Sequence, residues 1–114
     1  VILLPGFKTG RGLNDREHWR VRHARVKSEK DTVAWRLVEF NDRKPALPCV
    51  CTLTRFAPSN GLDDDNLAGS LKGVRDAVAA WLGVDDRDRK RVRYQYEQQR
   101  APWAVGIAFT EVQP

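Results

Sequence analysis

The stretch "GLDDDNLAGSLKGVRDAVAAWLGVDD", residues 61–86, decides how the rest of the chain is read. Asn66 to Leu82 scans as one helix. Leu67, Leu71, Val74, Val78, Trp81 and Leu82 recur at helical spacing and form one apolar face, and Gly83 stands where a helix-ending glycine usually does. At about 100° per residue, Asp65, Lys72 and Asp76 fall in a narrow arc on the opposite side, a row of carboxylate, ammonium, carboxylate. Gly69 and Gly73 lie near that side, each at an intrinsic helix cost of up to about 1 kcal/mol. Close approach of something large is a reason for tolerating them.

Asp63, Asp64 and Asp65 stand at or just before the helix start, and Asp85 and Asp86 close the segment. Adjacent like charges repel unless a cation or a basic neighbour offsets them. The helix dipole favours acids at the start, and Asp65 can cap free N–H groups there. Capping accounts for one or two aspartates. The remainder leaves two readings open, a solvated acidic cluster or a hard-cation site.

Around this segment the chain is otherwise basic. Its 114 residues carry a formal net charge of +5, with twelve Lys/Arg against six Asp/Glu in residues 1–57 and eight against nine in 58–114. A further basic run, "RDRKRVR", occupies 87–93. A basic chain that gathers its acids in one place fits a polyanion partner better than an acidic one. The length is that of one domain, residues 1–114, and the 41% apolar and 31% charged fractions are those of a soluble globular protein. No apolar run approaches the roughly 20 residues that cross a bilayer. The opening "VILLPGFKTG" reads as a strand and not as a secretory signal, so a cytoplasmic location is the default expectation. Cys49 and Cys51 sit two apart in a strand-like stretch, which suits neither a disulfide nor a zinc site, and read as small buried hydrophobes.

Working outward gives the order β-α-β-α-β-β. After the first strand and the Gly-rich loop "GFKTGRGLN", a long helix is expected from "DREHW" to "LVEF", capped by Asn14 or Asp15, with Trp19, His23, Val26, Val33 and Leu37 as its apolar stripe. "CVCTLTRF" alternates as a strand, and "RVRYQYEQQR" and "WAVGIAFTEV" read as a C-terminal hairpin turning at Ala101-Pro102. The architecture expected is α+β, a mixed sheet covered on one face by two helices.

"LDDDNL", then "LKGVRDAV", then "WLGVDD" resembles the RusA-type Holliday-junction resolvases, small phage and prophage endonucleases. Their shared pattern is Asp-x-Asp-Asn-Leu, a helical Lys four residues ahead of an Asp, and a closing Asp-Asp. The match covers residues 62–86. The resemblance implies a RusA-like fold in a homodimer that resolves four-way junctions or other branched DNA by phosphodiester hydrolysis, encoded by a phage or prophage and acting in the bacterial cytoplasm. It assigns Asp63, Asp65 and Asp86 as ligands of Mg²⁺, with Mn²⁺ as a substitute, and Lys72 as the catalytic lysine. Asp85 is an auxiliary ligand, Asp76 an orienting partner for Lys72 or Arg75, and Asp64 the solvated intermediate position. One departure concerns Lys72. It follows Asn66 by six residues where the best-known family member has three, which displaces it along the axis by roughly 4.5 Å.

Carboxylates converging on one point hold a hard cation, which polarises a phosphate and activates a water. Such a centre needs a basic surround on a polyanion. Lys8, Arg11, Arg16, Arg20, Arg22, Arg25, Lys90, Arg91 and Arg93 are the candidate phosphate contacts. Trp19 and Trp35 at helical spacing are expected in the core, with stacking on bases as the alternative reading, while His18 and His23 receive no role. The competing readings are a non-catalytic nucleic-acid-binding phage protein that retains the fold, and an interaction protein whose partner is not DNA.

Overall fold

The structure, a computed structural model, describes residues 1–10, 19–85 and 87–112. The expected helix caps Asn14 and Asp15, the candidate contacts Arg11 and Arg16, His18, and the candidate ligand Asp86 lie outside the described residues.

The chain forms an α+β fold. β1 (Ile2–Pro5) leads to α1 (Trp19–Val38), then a single 3₁₀ turn (Asn41–Arg43) and β2 (Cys49–Ala57). Two helices follow, α2 (Asp64–Ser70) and α3 (Lys72–Leu82), and then β3 (Val92–Arg100) and β4 (Ala104–Glu111). The sheet is mixed, in the order β1-β4-β2-β3. β4 runs antiparallel to both its neighbours and β3 runs parallel to β2, so β1, β2 and β3 all point one way. The α1 segment and the α2–α3 segment are therefore two parallel crossover connections.

Side-chain alternation decides which face the helices cover. In β2, Cys49, Cys51, Leu53, Arg55 and Ala57 are buried and the residues between them only half-buried. The register aligns this row with Val105 and Ile107 of β4 and Val92 of β3. Ile2 and Leu4 of β1 complete the face. Val33 and Leu37 of α1, Leu67 of α2, and Leu71, Val74, Ala77 and Val78 close it from above in one apolar cluster. Both cysteines are free and buried, as expected, and burial pushes each thiol up, Cys51 well above the ordinary range.

Three expectations are corrected. The helix across 66–82 is two helices. Leu71 sits between them at φ −105° and ψ 10°. The Leu67 carbonyl accepts the Ser70 hydroxyl at 2.7 Å, while the Leu71 N–H turns to Ala68 O at 3.2 Å. A tighter turn closes α2 where the Gly69-Ser70 pair gives little helix propensity, and Leu71 is fully buried at the junction. α3 ends as anticipated, on Gly83 at φ 74°, with Gly83 N bonded to Ala80 O and Val84 N to Ala79 O.

The C-terminal hairpin does not form either, because β2 lies between β3 and β4. β4 buries Val105, Gly106 and Ile107 in succession and belongs inside the sheet, whereas β3 is exposed over its last four residues and takes an edge. The link Ala101–Trp103 arches across the end of β2, with Ala101 N on Ala57 O at 3.0 Å and Gly6 N on Trp103 O at 2.7 Å.

In α1 the stripe differs from the one expected. Glu29, Val33 and Leu37 are buried and Val26 is half-buried, while Trp19 is 59% and Trp35 78% exposed. Trp35 projects from the far side. Trp19 and His23 extend the stripe past the start of α3 and stack edge to face on each other at 5.6 Å. The start of α3 meets α1 at Gly73, where an added Cβ would lie 3.0 Å from Val26 O and 3.1 Å from Glu29 Cβ. Something large does approach this glycine closely, and it is α1.

Candidate metal and nucleic-acid site

Parallel strands collect ligands at their carboxyl ends. Here those ends are Pro5, Ala57 and Arg100, and α2 begins just beyond them. Asp63 is the N-cap of α2. Its Oδ1 accepts the Asn66 N–H at 2.9 Å, and its backbone carbonyl accepts Leu67 N at 2.8 Å. Capping therefore falls to Asp63 and not to Asp65. Asp64 and Asp65 occupy the first turn, exposed, and Asn66 behind them is buried. Asp64 borders a cavity of about 430 Å³ with Leu67, Tyr94, Gln95, Tyr96 and Glu97.

The acids at the far end of the crossover do separate work. Asp85 accepts the Arg87 N–H at 2.8 Å. Asp88, which the sequence reading passed over, accepts the N–H groups of Lys90 and Arg91 and pairs with Arg91 Nε at 2.7 Å. Those bonds from Arg91 hold its carboxyl below the usual aspartate range. Among the described residues no group of three or more His, Cys, Asp or Glu side chains is placed to hold a metal ion together. In kind, the donors suit a hard dication. Asp64 and Asp65 present exposed carboxylates, and Asp63 has an oxygen besides the one in its cap bond.

Lys72 opens α3 on the far side of the break from Asp65, so the single arc of Asp65, Lys72 and Asp76 is divided between two helices. Lys72 Nζ lies 2.8 Å from Asp76 Oδ2, with the lysine half-exposed and the aspartate at 18%. Arg75 reaches the other oxygen of Asp76 at 3.7 Å. Asp76 thus partners both basic neighbours proposed for it. Tyr94 stands below, its hydroxyl sealed from solvent without a hydrogen-bond partner among the described residues. Burial raises its ionisation well above the ordinary range, and the Arg89 guanidinium lies 5.3 Å from its ring centroid.

Among the described residues the candidate phosphate contacts are spread over several elements. Lys8 and Arg25 line a common cavity of about 410 Å³ in which Arg25 pairs with the buried Glu29 at 2.8 Å. Arg20 lies over the exposed Trp19 at 5.3 Å, and Arg22 is half-buried. Lys90 and the Asp88-paired Arg91 belong to the loop before β3. Arg93 aligns with Val50 on the sheet face opposite the helices.

Two features at the carboxyl edge escaped the sequence reading. Arg55 is buried at 4% exposure, with Nε on Thr9 Oγ1 at 3.1 Å and its guanidinium 5.5 Å from the Trp103 ring centroid. Gln98 pins the loop before α2, donating to Leu62 O at 2.6 Å and accepting Leu62 N at 2.8 Å. The signal for Arg55 was present. Cys49, Cys51 and Leu53 alternate, and position 55 is the next inward one. No helix among the described residues is long and apolar enough to cross a membrane. No protein-family model and no curated protein matches the chain.

Proposed function

We propose that the protein is a Mg²⁺-dependent endodeoxyribonuclease of RusA-like fold that cuts four-way junctions or other branched DNA as a homodimer. The observation that carries this reading is the ordered pattern "LDDDNL", "LKGVRDAV", "WLGVDD", whose first aspartates stand exposed at the start of α2, beyond the carboxyl ends of the parallel strands. Asp63, Asp65 and Asp86 would hold the cation, with Asp85 auxiliary; when bound, Mg²⁺ supplies a polarised phosphate and a more acidic water. Mn²⁺ would serve in its place. The chain's own residues supply the rest. Asp63 fixes the start of α2 through its cap bond, and Lys72, oriented by Asp76, offsets charge on the phosphate or leaving oxygen. Two copies related by a two-fold axis give the two cuts a junction requires.

The capping bond of Asp63 favours a second reading, a DNA-binding protein of the same fold without nuclease activity. Synthetic four-way junction and linear duplex, each incubated with the protein with and without Mg²⁺, separate the two. Paired nicks in the junction are expected only with the metal. Asp65→Asn should reduce them by at least about a hundredfold, since even the outer-shell partners of metal ligands are worth 10–100-fold. Junction binding without metal-dependent cutting would leave the second reading in its place.

A further inference from the structure

Arg55 is a charged side chain in the core with no acid beside it among the described residues. Its polar partner is the hydroxyl of Thr9, its neighbour on one side is the face of Trp103, and no carboxylate pairs with it among the described residues. Burial depresses its pKa. A guanidinium withdrawn from water needs an anion or a strong set of acceptors, and a single hydroxyl is neither.

Arg55 is nonetheless not shut away on every side. The residue borders an open cavity of about 290 Å³ at the carboxyl ends of β2 and β3, shared with Asn60, Gly61, Gln98 and Arg100. Two guanidinium groups and three side-chain amides line it, and among the described residues none that lines it is acidic. The rim is built. Gln98 is tied to both backbone groups of Leu62, and an added Cβ at Gly61 would stand 3.1 Å from the Gln98 amide, so glycine lets the loop close onto the strand.

We infer that this cleft is a seat for a phosphate group, held by Arg55 from below and Arg100 from the rim. Guanidinium forks match the oxygens of a phosphate, and the volume admits the phosphate together with the group that carries it. The carrier is either a nucleic-acid backbone or a small phosphorylated molecule. The seat lies two residues from the cap Asp63 through Gly61, so a backbone phosphate held there would bring its strand alongside the start of α2. The inference stands on Arg55 and its cleft and does not require the protein to cut DNA.

The test follows the side-chain Nε–H signal of Arg55 in the ¹⁵N-labelled chain as inorganic phosphate is added at constant ionic strength, without divalent metal. A saturable shift at Arg55 is expected. Arg100→Gln, an exposed change whose folding is checked by its unfolding midpoint, should weaken it about tenfold, the equivalent of about 1.4 kcal/mol. No saturable shift, a shift reproduced by chloride, or unchanged affinity in Arg100→Gln overturns the assignment. A short DNA duplex then distinguishes the carriers. Displacement of phosphate from Arg55 by the duplex supports the seat and places it on the nucleic-acid path. Phosphate retained under saturating duplex supports the seat as one for a small phosphorylated ligand. Failure of metal-dependent cutting would remove the nuclease reading and leave these outcomes intact.

Discussion

Asp63–Asp65 and Arg55 lie on either side of one short loop and carry opposite charge under opposite conditions. The aspartates stand in water at a helix start, where solvent screens them and the backbone N–H groups give one of them useful work. Arg55 is under the sheet's covering layer, where screening is weak and a hydroxyl is its hydrogen-bond partner. The contrast teaches that abundance and information are different things. Three exposed carboxylates in a row admit a capping explanation, while one buried guanidinium facing a cavity calls for a ligand.

Removing charges one at a time sharpens this comparison. The largest effect belongs to a buried charge that does have its partner. Glu29 is 7% exposed and pairs with Arg25, itself 25% exposed, and Glu29→Ala should destabilise the fold by about 2–3 kcal/mol in urea unfolding, below the range for a fully buried pair because Arg25 is partly solvated. Arg55→Met should act in the reverse direction. Filling the same space with an apolar chain relieves an uncompensated charge, so stability should rise by about 1–2 kcal/mol while phosphate binding is lost. A fall in stability would mean that Thr9 and Trp103 suffice for Arg55. The smallest effect is Asp63→Ala, expected to cost about 1 kcal/mol by loss of the cap, with Asp63→Ser recovering most of it. If Asp63→Ser folds normally yet loses metal-dependent cutting, capping and ligation are separated in one residue.

The alternation of β2, the C-terminal glycine of α3, the one-sided covering of the sheet and the buried cysteines were all legible from spacing. Strand order was not. β3 and β4 are adjacent in sequence and their link is short, and what separates them in space is the apolar content of β4, Val105 to Ile107, which takes an interior place. The division at Leu71 was hidden because Leu71 continues the apolar period through the break. At Gly73 a close approach was expected, but periodicity located its face without showing that α1 would be the element to fill it. At the candidate site, the pattern anticipated that Asp63–Asp65 stand at a helix start and that Lys72 lies beside Asp76. It overlooked Arg55 because the basic residues were sought on the surface, where alternation would have sent this one inward.

The two edges of the sheet carry a consequence for how the protein behaves at high concentration. β1 is four residues long and ends in a proline, and β3 presents Arg93, Glu97 and Arg100 along a strand otherwise inviting to a passing backbone. A brief, proline-stopped border and a charged one both discourage growth of the sheet by addition of further strands. Self-association of this chain should therefore proceed through faces and not through strand-to-strand extension, keeping it clear of fibrous aggregation.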